Sequence, residues 1–192
     1  SVRAVRARDV GDGTERRYTA DAFVLAAGAL GTPQLLMASG LRGVNPAGHA
    51  VGRRLMRHCA SIVFGGYPRL PDGGGSFHKQ LGINDFYLGD DAPGAPEGKL
   101  GNIQQIQSPS PGPVRYELPR PVAYLLSPLL RRATGLLVLA EDRPRYGNHV
   151  ALSRRETGPF GLPQTVVRHE HADRDRAARA ALARRARQIH RE

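Results

Sequence analysis

Residues Ala22-Phe23-Val24-Leu25-Ala26-Ala27 form an unbroken apolar run that stops at Gly28. Nothing polar alternates through it, so it does not fit a strand with one wet face. Such a run suits a strand buried on both sides, as in a parallel sheet flanked by helices. After Gly31 come Thr32-Pro33, a mostly apolar stretch, and Gly40. Thr can cap a helix, Pro suits a first helical position, and Gly can close a helix in the left-handed conformation. Residues 22–40 are therefore expected to run strand, small-residue turn, helix. Small side chains at the carboxyl end of such a strand let a flat or charged ligand approach the backbone closely. The helix start adds free amide donors to the same edge.

The flanks differ in texture. Val2, Ala4 and Val5 among Arg3, Arg6 and Arg8 suggest a first strand, and Asp9-Val10-Gly11-Asp12-Gly13 suggests a turn. Residues 68–75, 90–98 and 108–113 are loop-like, rich in Gly, Pro, Asp or Ser. Strands are expected at 60–67, 83–88, 101–107, 135–141, 149–153 and 165–169, with a helix over 121–132 interrupted at Pro128. Short strands between turns imply an antiparallel sheet. A last helix, capped by Asp173, should run to about Arg191 with Ala178, Leu182, Ala186 and Ile189 on one stripe. The fold class is α/β (α+β), with domains expected at 1–58 and 59–170 and a C-terminal helix at 171–192.

Composition removes several function classes. The apolar fraction of 40% and charged fraction of 23% exclude wholesale disorder. No apolar run approaches the length of a membrane-spanning helix, so no membrane partner is expected. The single Cys59 excludes an internal disulfide framework. The net charge is +11, and all but Lys79 and Lys99 of the 28 basic residues are Arg. A nucleic-acid surface would gather that charge on one face among stacking aromatics. Here Arg is spread from Arg3 to Arg191, there is no Trp, and the dense stretch 174–191 has no aromatic. A solvated helix face is the simpler reading, and no nucleic acid is expected.

The string from Gly28 to Leu41, Gly-Ala-Leu-Gly-Thr-Pro-Gln-Leu-Leu-Met-Ala-Ser-Gly-Leu, closely resembles the second signature of the glucose–methanol–choline (GMC) family of FAD-dependent oxidoreductases. Arg42 stands where that signature usually has its last Gly. Val51-Gly52-Arg53-Arg54-Leu55-Met56-Arg57-His58 is similar to the family's next landmark, with Arg54 in place of the usual Asn and Arg57 in place of the usual Asp. Asn148–Leu152, Gly161-Leu162-Pro163 and Asp173-Arg174-Asp175 follow in the order of bacterial members.

The resemblance implies a partial FAD-binding domain of Rossmann type joined to a substrate domain with an antiparallel sheet. It implies FAD as cofactor and a small alcohol as substrate in the complete protein, with hydride passing from a CH–OH carbon to flavin N5. Ala26, Ala27, Gly28 and Ala29 would lie against the cofactor's adenosine part, and Thr32 and Pro33 would start the helix packed behind it. Residues from about Cys59 to Gln164 would build the substrate domain, whose sheet roofs the flavin. If so, Tyr87 with Phe86, Gln104, and Gln105 with Gln107 are strand residues that could face substrate, although an ordinary strand role is the simpler reading of them.

Two expected segments are missing from the sequence. No Gly-x-Gly-x-x-Gly follows a strand, and Gly73-Gly74-Gly75 lies in a loop. The family's His-x-x-Gly-Thr segment and the catalytic pair beyond it are also absent. The chain, which starts without Met, is expected to be an internal fragment that is inactive alone, with no catalytic residue of its own. The alternative is a non-catalytic basic module that binds anions, nucleic acid or a partner. No metal site is expected. His169 and His171 share a strand face without further ligands, His58 and Cys59 point apart, and His49, His78, His149 and His190 have no partner pattern. Cys59 suits a small buried hydrophobe. Ser39 lacks a nucleophile elbow, and Asp90-Asp91 suits a solvated turn. One cysteine and no visible leader fit a cytoplasmic setting.

Overall fold

The structure is a computed structural model and describes residues 2–69, 79, 81–106, 116, 118–130, 132–158 and 161–192. In chain order it has strands β1 (Val5–Arg8) and β2 (Glu15–Tyr18), then helix α1 (Gly28–Ala38) and 3-10 turns at Leu41–Val44 and Pro46–Ala50. Strands β3 (Cys59–Gly66), β4 (Gly82–Ile83) and β5 (Gly101–Ile106) follow, then helix α2 (Arg120–Leu130). Strands β6 (Ala133–Ala140), β7 (His149–Thr157) and β8 (Pro163–Arg168) precede the last helix, α3 (Asp173–Ile189). Every strand pairing among the described residues is antiparallel, and the mixture of helices and sheets makes an α+β protein, as expected. The chain divides into two compact units, Ser1–Met56 with Pro144–Glu170, and Arg57–Arg143 with His171–Glu192. The expected loop at 108–113, most of that at 68–75, and Gly73–Gly75, His78 and Gln107 lie outside the described residues.

The first unit opens with a hairpin whose turn is wired by its acids. The Asp9 carboxylate accepts from the Gly11 amide at 2.8 Å, the Asp12 carboxylate accepts from the Thr14 amide at 2.8 Å, and Gly13 supplies φ +74°. Those Thr14 contacts hold the Asp12 carboxyl below its usual range. The expected buried strand over 22–27 does not form. Among the described residues no strand pairs with it, and Val24 is 89% exposed. A strand exists only where another backbone completes its hydrogen bonds, and apolar sequence alone supplies none.

Helix α1 also starts earlier than expected. Gly28, at φ +76°, is its first residue, so Pro33 lies inside the helix rather than at its head. Thr32 is not the cap either, although its hydroxyl accepts the Ala27 amide at 3.0 Å from within the helix. The C-terminal end is as expected, with Gly40 left-handed at φ +68°. The β7–β8 hairpin packs on α1, and the Gln34 amide donates to the Pro163 carbonyl at 2.9 Å. Residues 52–55 run along the start of β7, with the Val150 amide donating to the Gly52 carbonyl at 2.7 Å and Leu55 to Asn148 at 3.1 Å. Buried Asn148 clamps Glu170 through its own amide group, donating to the carbonyl at 3.1 Å and accepting from the amide at 3.0 Å.

The second unit is a four-stranded sheet in the order β3-β6-β5-β4, with α3 across one face. Cys59, Ile103, Leu136, Val138 and Ala140 meet Ala178, Leu182 and Ala186 in a buried core, with Ile189 packed at its edge. The expected helix stripe is the observed one. Burial raises the Cys59 thiol above its usual range, as suits a buried hydrophobe. The cap is different: α3 begins at Asp173, so its N-cap is Ala172. Asp175, fully buried, accepts from Ala172 and Arg143 amides at 3.4 and 3.3 Å. Helix α2 runs through Pro128 without the expected interruption.

The strand expected at 83–88 shrinks to Gly82–Ile83, because a turn at 84–87 closes on the Asn84 carbonyl, which accepts from Tyr87 at 2.9 Å. That loop is held by arginines of α3. Arg185 donates to the Asp90 carboxylate at 2.8 and 2.5 Å with Phe86 beneath its guanidinium at 5.0 Å. Arg174 donates to the carbonyls of Glu97 and Lys99. The arginines of this helix are thus not all a solvated face. Asp90 is not a solvated turn acid either, since its side chain is only 3% exposed.

Candidate functional site

In the first unit a cleft of about 370 Å³ opens between the N-terminal half of α1 and residues 51–56. Ala29, Thr32, Pro33 and Leu36 form one wall, and Val51, Gly52, Arg53, Arg54, Leu55, Met56 and Val150 form the other. The close approach of the two walls depends on Gly52. It sits at φ +78°, and a Cβ there would stand 2.4 Å from the Val150 carbonyl oxygen. Any side chain would push the 51–56 segment off β7.

Three of the six residues expected to touch a cofactor, Ala29, Thr32 and Pro33, line this cleft. Ala26, Ala27 and Gly28 lead into it and are exposed. The structure therefore keeps the six in one continuous stretch but brings only half of them to the cleft wall. The opposite wall was not among the expected site residues. Its signal was present in the Val-Gly-Arg-Arg string, which marks a family landmark and also carries charge.

Electrostatically the cleft is one-sided. Its lining holds two arginines and no carboxylate. The Arg53 guanidinium lies over the Tyr146 ring at 4.7 Å, a cation–π contact. Arg54 has φ +60°, the one positive value at a non-glycine residue among those described. The Thr32 hydroxyl oxygen already accepts the Ala27 amide, so its proton is available to an acceptor. Together these groups can bind an anionic ligand with an apolar body.

In the second unit the sheet face opposite α3 carries the residues expected to face substrate only in part. Pairing puts Ile62, Leu137 and Gln104 in one row, and Phe64 and Ile106 flank Gly135 in the next. Ile62 and Phe64 are each about half exposed. Gln104 accepts from Lys79 at 2.9 Å and donates to Asn102 at 3.4 Å, so this face carries a polar pair among apolar side chains. Gln105, next along the strand, faces the other way toward Leu136 and Val63. Tyr87 is not on a strand, and its ring lies 5.9 Å from the Lys99 ammonium. No helix among the described residues is long and apolar enough to cross a membrane.

Residues 1–60, which contain all of α1 and the 51–56 wall of the cleft, match the family model described as GMC oxidoreductase. That match supports an internal fragment of a GMC family oxidoreductase, and the resemblance carried by residues 28–41 and 51–58 falls within it. No curated protein matches the chain.

Proposed function

We propose that the chain is part of an FAD-dependent oxidoreductase that takes hydride from the CH–OH group of an alcohol. The match over residues 1–60 carries this reading. The cleft supports it. Small side chains at Ala29 and Gly52 permit close approach of a flat group, and the arginines and the Thr32 hydroxyl offer donors with no carboxylate to repel a phosphate. The nucleotide end of FAD fits that donor set. Ala26, Ala27, Gly28, Ala29, Thr32 and Pro33 would form the wall against which it rests. Bound FAD supplies the electron chemistry, as hydride acceptor.

On this reading residues 1–58 belong to the cofactor side and the antiparallel sheet within 59–170 to the substrate side. The half-exposed face of Ile62 and Phe64 excludes water from the alcohol, and Gln104 gives it a hydrogen-bonding partner. The sequence has neither Gly-x-Gly-x-x-Gly after a strand nor His-x-x-Gly-Thr. The 192-residue chain thus lacks the pyrophosphate cradle and the group that moves the alcohol proton, and by itself does not turn over.

The test compares this chain with any longer product of the same reading frame. Each is assayed for bound flavin by visible absorbance and for alcohol-dependent dye reduction. Flavin and turnover are expected in the longer product only. Dye reduction by the 192-residue chain alone overturns its inactivity, and a longer product without flavin overturns the function.

A further inference from the structure

We propose that helix α2 is a docking surface for an anionic lipid bilayer, on whose face it lies without crossing it. The inference stands apart from the flavin reading and does not need it. Tyr116, Leu118, Val122, Tyr124 and Leu125 are all exposed within one short stretch, Tyr124 at 80% and Leu125 at 74%. Pro121 and Pro128 of the helix are exposed as well, and Ala123 is its one buried side chain among the described residues. No charged residue occurs from Pro121 to Leu130. Single apolar side chains at a surface are ordinary, but a contiguous patch of them marks an interaction site.

Shape and charge identify the occupant. At 3.6 residues per turn, Pro121, Val122, Tyr124, Leu125 and Pro128 spread over about 160° of the helix surface, with Ala123 on the far side. A groove in a protein partner takes a narrower stripe of anchors, whereas a broad arc suits a flat apolar surface. The tyrosines each join an apolar ring to a polar tip, which favours the boundary between lipid chains and water. In the sequence, residues 115–132 carry Arg115, Arg120, Arg131 and Arg132 against Glu117 alone. Basic groups at both ends of an apolar helix match anionic headgroups, whose phosphates guanidinium groups bind well. That no described helix is long and apolar enough to cross a membrane is no obstacle, because adsorption needs only an exposed apolar face.

The sequence has no Trp, so a single Trp placed in the helix reports its surroundings alone. The chain carrying Leu125→Trp is mixed with vesicles of phosphatidylcholine, or of equal parts phosphatidylcholine and phosphatidylglycerol. Its emission should shift to the blue with the anionic vesicles, whereas Val10→Trp, at an exposed hairpin turn of the first unit, should not respond. Tyr124→Ser combined with Leu125→Ser removes apolar area without changing charge, and at exposed positions it should leave the melting temperature near the parent's. Co-sedimentation of that double variant with the anionic vesicles should weaken about tenfold. Adsorption that ignores the double variant and vanishes in high salt belongs to arginines elsewhere on the chain and overturns the proposal. Equal binding to both kinds of vesicle overturns the anionic surface as partner. Self-association without lipid that the double variant abolishes assigns the face to a second copy of the chain and overturns the proposal too. So does a parent chain that binds neither vesicle.

Discussion

The two units solve the burial problem differently. In the second, a sheet and a helix share one apolar interior, and every member of the buried cluster belongs to it. In the first, only Gly48, Asn148 and Val150 are buried among the described residues. That unit is held instead by directed bonds, such as those from Val150 to Gly52, Leu55 to Asn148, and Gln34 to Pro163. The difference teaches where the apolar sequence of each part is used. The strands of the second unit find partners within 57–143. Residues 22–27, the most apolar run of the first unit, find none and leave Val24 in solvent. A cleft with room for a ligand sits in the unit with the fewer buried residues.

This contrast can be broken most directly in the core. Leu182→Ala, at a site with no exposed surface, should cost about 2–5 kcal/mol and is checked by urea unfolding of the second unit. A loss under about 1 kcal/mol would mean that α3 does not close that core. A smaller effect is expected at the tether between α3 and its loop. The Arg185 guanidinium holds the Asp90 carboxyl below its usual value. A lowered carboxylate contributes stability that is complete above the unfolded value near about 4 and fades as pH falls through the folded one. Asp90→Asn should therefore be less stable than the parent at neutral pH, with the two melting curves converging in acid. Parallel curves from pH 7 down to about 2 would refute the ion pair's role. The smallest change belongs to the first unit: Val24→Ser should shift stability by less than about 0.5 kcal/mol, because nothing covers the side chain. A melting shift as large as that of the core variant would erase the distinction between the units.

Much of the second unit was legible because its patterns are local and repeated. The spacing of Ala178, Leu182, Ala186 and Ile189 defines a buried stripe whatever packs on it. Where the sequence misled, a distant group decided. The arginines of α3 look like a solvent face until Asp90 and the carbonyls of Glu97 and Lys99 arrive from a loop 75 to 95 residues earlier in the chain. The start of α1 was misplaced because Thr-Pro is a good helix opening, yet the chain turns into the helix five residues earlier, at Gly28 with φ +76°. Half of the cleft was visible in the small residues around Gly28. The other half required residues 51–56 to be folded back along β7, which no spacing between them encodes.

By itself the sequence determined the α+β class, the apolar stripe of the last helix, the turn chemistry of Asp9 to Gly13, and the match of the first 60 residues to an oxidoreductase family. These follow from properties of neighbours along the chain, namely periodicity, capping groups, glycine freedom and motif order. Tertiary structure alone decided that residues 22–27 stay unpaired, that Asp90 is buried against Arg185, and that Arg53 and Arg54 share a cleft with Ala29 and Thr32. The reason is physical: hydrogen-bond partners, desolvation and the facing of charges are set by what lies close in space, and sequence distance does not fix that.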